Sequence, residues 1–255
     1  MEKIVFLLIV ALFASNVSGH ETDGVVEVSA DEKLGSYVPL DIPFLDERGD
    51  TVILRELVDK PTVIAPVYLS CTNTCPLLLM GLADVIGKIR LHGGKDYRIL
   101  AISFDKSDTY LTASEKKNDY LKAINMPFPE DGWRFLTGST ESIRKFTGAV
   151  GFQFRQEGEE FSHPVVLIFL SPDGRIVRYL PGTTFLPFEF EMAVTEASEG
   201  RAVPLARKAL LYCMSYDPGG RRYVFNTLKV AATLVIVSIG SFFIWLVVTG
   251  KKYKR

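Results

Sequence analysis

The sequence predicts an α/β domain, and three observations carry the prediction. Three apolar runs rich in β-branched and aromatic residues are each continuous enough to be strands covered on both faces: Thr62 to Leu69, Tyr97 to Phe104 and Pro164 to Leu170. Stretches of helical period separate the first two and follow the last, so strands and helices alternate. Two of the chain's three cysteines, Cys71 and Cys75, sit where the first run gives way to a helix.

Taken in order, the domain opens with a hairpin: Asp41 to Leu45, a turn at Asp46 to Asp50 with Gly49 inside it, and Thr51 to Leu54. Arg55 to Lys60 reads as a short helical turn that stops before Pro61. Pro66 inside the strand from Thr62 has no N–H to give, which points to a bulge or a sheet edge. After the cysteine turn Pro76 suits a first helical position. Leu77, Leu78, Met80, Leu82, Val85, Ile86 and Ile89 then form an apolar face, with Met80 in the core, ending at His92-Gly93-Gly94. Ser114 to Ile124 is helical, Trp133 to Leu136 is a short strand, and Ser139 caps a helix that runs to Ala149. Phe152 to Arg155 is extended and Gly158 to Phe161 is a polar loop. Pro172-Asp173-Gly174 turns the Pro164 strand back into an antiparallel partner, Ile176 to Leu180, and Pro187 to Ala197 is a closing helix. This order, βαβ then ββα with cysteines after the first core strand, is that of a thioredoxin-like fold behind an N-terminal β-hairpin.

The two ends of the chain read differently from its middle. Residues 1–19 fit a secretory signal peptide, with Lys3 before an apolar stretch from Ile4 to Ala14 and small residues at Val17-Ser18-Gly19; an uncleaved N-terminal anchor is the alternative. Residues 20–34 are polar and acidic and read as a flexible lead-in, with His20 first in the mature chain. Val230 to Thr249 carries no charge, which predicts a transmembrane helix over 229–250, and the lysine- and arginine-rich 251–255 places that end in the cytoplasm. The domain over 35–200 is then periplasmic, or extracytoplasmic, tethered through a membrane-proximal extension over 201–228 that holds Cys213. Lys+Arg of 29 against Asp+Glu of 30 gives no reason to expect a nucleic-acid partner. Three cysteines are too few for a disulfide framework, so the close pair points to specialised use.

A thiol pair at a helix N-terminus can bind a soft metal, exchange disulfides, or form a structural disulfide. His163, just before the third core strand, is a candidate third group. In a thioredoxin-like fold its loop faces the cysteine turn, and two thiolates with one imidazole suit copper as Cu(I) or Cu(II). A core histidine is the other reading. A cis His163–Pro164 bond would fix the direction of the imidazole. Cys213 offers either a second copper site or a buried free cysteine at a helix end.

Cys71-x-x-x-Cys75-Pro76, the strand end Ser103-Phe104-Asp105-Lys106-Ser107-Asp108-Thr109, His163 and Pro172-Asp173-Gly174-Arg175 together resemble the Sco/SenC family over about Gly35 to Ala197. That family comprises thioredoxin-like copper-binding proteins that serve cytochrome c oxidase assembly. The resemblance implies that Cys71, Cys75 and His163 bind copper and that Asp105 orients the histidine from behind; Asp105 and Asp108 also read as caps of the following segment. It implies a metallochaperone rather than an enzyme, with a respiratory oxidase subunit or another copper chaperone as partner. The competing reading is a thiol-disulfide oxidoreductase that cycles Cys71 and Cys75. The three residues between the cysteines, one more than thioredoxins use, favour a metal bite.

Overall fold

The computed structural model describes residues 30–158, 160–202, 214–217, 222–225, 235 and 238–242. The expected hairpin is present as β1 (Pro43–Leu45) and β2 (Thr51–Ile53), antiparallel, followed by a short helix α1 (Leu54–Leu57). Next come β3 (Thr62–Val67), α2 (Thr74–Ile86), β4 (Arg98–Ser103), α3 (Tyr110–Ala123), β5 (Trp133–Leu136) and α4 (Thr140–Ala149). A small hairpin, β6 (Arg155–Glu157) and β7 (Glu160–Ser162), precedes β8 (Val166–Leu170), β9 (Ile176–Pro181) and α5 (Pro187–Ser198). Further along, β10 (Met214–Asp217) and β11 (Arg222–Phe225) pair antiparallel.

The core sheet has the order β5-β4-β3-β8-β9. β3 and β4 are parallel and buried at every position, because helices cover both faces. β8 runs antiparallel to β3, and β9 antiparallel to β8. This is the thioredoxin-like arrangement of a mixed α/β sheet. Its antiparallel central pair brings the end of β3 and the start of β8 to one edge.

Several local expectations change. Pro66 lies in a central strand, in register with Ile102 of β4. The ladder to β8 covers only Thr62, Val63 and Ile64, so beyond Ile64 no β8 partner needs an N–H from Pro66. α2 ends at Gly87 rather than near Leu91. Its buried face is Leu78, Leu79, Leu82, Ala83, Val85 and Ile86, while Leu77 and Met80 are exposed; Met80 is therefore not core, because it falls outside the i, i+3, i+4 stripe. α3 starts four residues before the expected Ser114, where the Thr109 hydroxyl accepts from the Thr112 N–H. Ser139 caps α4 as expected, accepting from the Ser142 N–H. The polar loop expected over 158–161 is half strand: Gly158, at φ +70°, turns the chain so that Phe161 packs on Phe154 and Phe104. Residues 30–34 are packed rather than a flexible lead-in. Ala30 bridges Phe152, the Lys33 N–H donates to the Tyr179 hydroxyl at 3.1 Å, and Lys33 Nζ donates to the Gly148 carbonyl at 2.7 Å.

One buried ionic cluster ties the first hairpin to the sheet. Glu47 accepts from Lys117 Nζ at 2.6 Å, Arg134 Nε at 2.9 Å and the Phe135 N–H at 3.2 Å, while Asp46 accepts from Arg134 at 2.6 Å. Burial works against the Glu47 carboxylate, but these hydrogen bonds and the Lys117 and Arg134 charges hold its pKa below the ordinary range.

Among the described residues no helix is long and apolar enough to cross a membrane. The expected signal peptide over 1–19, most of the expected span over 229–250 and Cys213 lie outside the described residues; Met214, the next residue, opens β10.

Candidate metal centre

The site forms where β3 ends and β8 begins. β3 delivers Tyr68, Leu69 and the turn holding Cys71, and Cys75 lies in the first turn of α2. Cys71 and Cys75 are 5% and 2% exposed and are not joined by a disulfide, so the pair is a nearly covered dithiol. β7 and the loop before β8 deliver His163 from 88 residues away, and its Nε2 stands 3.6 Å from Cys75 Sγ. The structure therefore brings together the three residues singled out as candidate ligands. The His163–Pro164 bond is trans.

The imidazole is set up as a donor of a lone pair. His163 Nδ1 lies 3.0 Å from the Pro164 carbonyl, which can only accept, so Nδ1 carries the proton and Nε2 is left free toward Cys75. Burial lowers the His163 pKa, and the Pro164 hydrogen bond only partly offsets this, so the ring is neutral at pH 7. Its faces are held by aromatic rings: Phe104 at 5.1 Å, Tyr68 at 5.7 Å and edge-on at 89°, and Phe152 at 6.1 Å.

The two thiols differ. Burial disfavours the Cys71 thiolate, but hydrogen bonds from the Tyr68 hydroxyl and from the Cys75 and Asn73 N–H groups outweigh it and lower its pKa; the Asn73 N–H lies 3.4 Å from Sγ. Burial raises the Cys75 pKa, and the neighbouring Cys71 charge adds to the effect. Tyr68, which the sequence placed only within the apolar run from Thr62 to Leu69, is thus part of the site.

Asp105, expected behind the histidine, is engaged within its own loop. Its carboxylate accepts from the Ser107 N–H at 2.9 Å, capping its own loop, and the position behind His163 is taken by the Pro164 carbonyl. Asp108 reaches the site's frame instead, accepting from the Leu69 N–H and the Ser103 hydroxyl, each at 2.6 Å, and so fixing the strand end that leads into the cysteine turn. Burial pushes the Asp108 pKa up, against those two hydrogen bonds.

Among the described residues no group of three or more His, Cys, Asp or Glu side chains is placed so that it could hold a metal ion without adjustment. The donor chemistry nonetheless fits a soft metal: two sulfurs and a neutral imidazole nitrogen. With bonds of about 2.3 Å to sulfur and 2.0 Å to nitrogen, as in zinc sites, donors 3.6 Å apart subtend an ordinary ligand angle at a shared ion.

A thioredoxin-like sheet with a dithiol and a histidine at one edge defines a class of thiol-based metal or redox proteins. Residues 36–196 match the SCO1/SenC family, and the chain belongs to that family. It is 25% identical over 154 residues to the SCO1 protein homolog of Bacillus subtilis, covering 57% of this chain and 75% of that one. A crystal structure from Aquifex aeolicus VF5, of a candidate electron transfer protein, is 32% identical with a TM-score of 0.60, covering 67% of this chain and 97% of that one. Arabidopsis thaliana ScoI, solved with copper bound, shares the fold at 22% identity and a TM-score of 0.53, covering 65% of this chain and 99% of that one.

Proposed function

We propose that the chain is a copper-binding metallochaperone that serves copper-site assembly in a respiratory oxidase, with Cys71, Cys75 and His163 as ligands. The observation that carries this reading is the neutral imidazole Nε2 aimed at Cys75 Sγ across 3.6 Å, its other nitrogen already tied to the Pro164 carbonyl. Family membership and the copper-bound Arabidopsis relative support the choice of metal. The thiolates suit Cu(I), and the imidazole extends the site to Cu(II). Release to a partner proceeds by ligand exchange, one donor replaced at a time, so the chain binds and hands on metal and turns over no substrate. The apolar stretches near both ends of the sequence support a domain outside the cytoplasm on a C-terminal membrane helix, facing an oxidase subunit or another copper chaperone.

The test is titration of the reduced protein with Cu(I) and then Cu(II) against a competing chelator, with His163→Ala alongside. Wild type takes up one copper per chain, and His163→Ala loses tenfold or more in Cu(II) affinity. No uptake by wild type ends the chaperone reading, and equal Cu(II) affinity in the variant ends the three-ligand site.

The contrast between the thiols favours one second reading, a thiol-disulfide reductase. The Cys71 thiolate attacks a partner disulfide and releases one partner thiolate. Cys75, losing its proton, then attacks the Cys71 sulfur of the mixed disulfide and frees the second, so two electrons pass to the partner and Cys71–Cys75 is left oxidised. Rapid reduction of insulin by the copper-free protein would establish this activity; Cys71→Ser would abolish it.

A further inference from the structure

The β6–β7 hairpin that leads into His163 stands apart from the core. It is a two-stranded sheet of its own, exposed at every position of β6 and half-buried only at Phe161 and Ser162 of β7. Phe161 is its apolar hold, packed on Tyr68 at 5.1 Å and on Phe104 at 5.6 Å. Among the described residues one side-chain hydrogen bond crosses from the hairpin to the cysteine turn: Asn73 Nδ2 donates to Glu160 Oε1 at 3.0 Å.

Asn73 is the middle residue between the two cysteines and the N-cap of α2. An asparagine at that position ordinarily turns its side chain back to accept from a free N–H of the first helical turn. This one makes no such bond. Its backbone N–H serves Cys71 Sγ at 3.4 Å, and its side-chain amide serves Glu160 at the surface. Glu160 in turn precedes His163 by three residues, about 10 Å of extended chain. The cysteine segment and the histidine segment therefore meet at two points, Asn73 with Glu160 and Cys75 with His163 at 3.6 Å. The second is a long sulfur–nitrogen contact, so in the metal-free protein the first, a hydrogen bond to a carboxylate, is the firmer polar tie.

We propose that Asn73 and Glu160 are positioning residues that latch the hairpin to the cysteine turn and so keep His163 seated at the dithiol. The latch sets how often the histidine leaves its place, and a departing donor is the first step of ligand exchange. The ligand role of His163 rests on the function proposed above; the latch itself belongs to the metal-free fold. A hydrogen bond of this kind shifts the equilibrium between seated and open hairpin about three- to tenfold.

The test is amide hydrogen exchange in the full-length, metal-free protein, read over residues 155–163 under conditions where exchange follows the opening equilibrium. Asn73→Ala and Glu160→Ala should each raise exchange there about three- to tenfold. The two together should do no more than either alone, and Glu160→Gln, whose amide oxygen still accepts, should stay within about twofold of wild type. A second measurement asks whether the histidine is what the latch holds. Transfer of bound Cu(II) to a chelator should quicken by the same factor in Glu160→Ala, and the factor should vanish when His163→Ala is the background. Unchanged exchange in the single variants, or additive effects in the pair, would overturn the latch. Faster exchange with Cu(II) transfer unchanged, or quickened equally without His163, would overturn the positioning role. A wild type that takes up no copper would end the ligand reading, and the exchange measurement, which needs no metal, would still decide the latch.

Discussion

At the scale of the residue, His163 shows how local bonding chooses a chemical role. Its proton is held by the Pro164 carbonyl and its ring is packed among Tyr68, Phe104 and Phe152, so the free nitrogen is the one facing Cys75. The depressed pKa has a thermodynamic consequence. Below the ordinary value of 6.5 the unfolded chain takes up a proton that the folded, metal-free protein resists. His163 therefore leaves stability intact above pH 6.5 and takes it away as pH falls from 6.5 toward the folded pKa. Denaturant unfolding of metal-free wild type and His163→Gln at pH 7.5 and 5.5 should show a smaller acid loss in the variant; equal losses would deny the histidine this role. The sequence exposed the three candidate ligands because cysteine and histidine are rare here and sit at element boundaries. It did not expose Tyr68 or Asp108, whose contacts to Cys71 and Leu69 depend on side-chain direction at a strand end and on a reach of 39 residues. Two carboxylates three positions apart, Asp105 and Asp108, cannot be told apart by order alone; only the folded loop shows which turns inward.

At the scale of the element, α2 is positioned by what it lacks. A Cβ on Gly81 would lie 1.8 Å from the Thr183 carbonyl oxygen, a backbone atom that cannot swing aside. Gly81→Ala should push α2, and with it Cys75, off the segment before α5, at a cost of about 1–3 kcal/mol despite alanine's better helix propensity. A thermal melt should fall by about 2–4 °C for each kcal/mol lost, and an unchanged melting temperature would mean that the segment yields freely. Buried strands were legible as unbroken apolar runs, and Ser139 as a cap. The end of α2 was not, because Ile89 and Leu91 continue an apolar pattern after the helix has stopped, packing on the core from a loop. β7 was hidden by its shortness: alternation over the three residues Glu160, Phe161 and Ser162 is too brief to register against a polar background.

For the molecule as a whole, the Glu47, Lys117, Arg134 and Asp46 cluster fastens the N-terminal hairpin to α3 and β5 on the far side of the sheet from β8. Glu47 and Lys117 are 6% and 5% exposed, so removing one partner strands a charge in the interior. Lys117→Met should cost about 3–5 kcal/mol in a denaturant titration, whereas Lys117→Met with Glu47→Leu should recover part of it. A single variant as stable as wild type would show that Arg134 alone suffices for Glu47. None of this cluster was legible in advance, since charged residues far apart in sequence announce no pairing.

The donors at Cys75 and His163 are separated by 88 residues, and β8, which carries the histidine into place, is the strand that must slot between β3 and β9. During synthesis the cysteines emerge first and remain without their nitrogen partner until that insertion occurs. With the proposed ligand set, capture through all three donors would await that insertion, gated by loop closure rather than by metal supply. In a refolding experiment with copper added at successive times, the difference in Cu(II) affinity between wild type and His163→Ala should appear only with the last kinetic phase, marking closure of the sheet; a difference present from the start would deny this order.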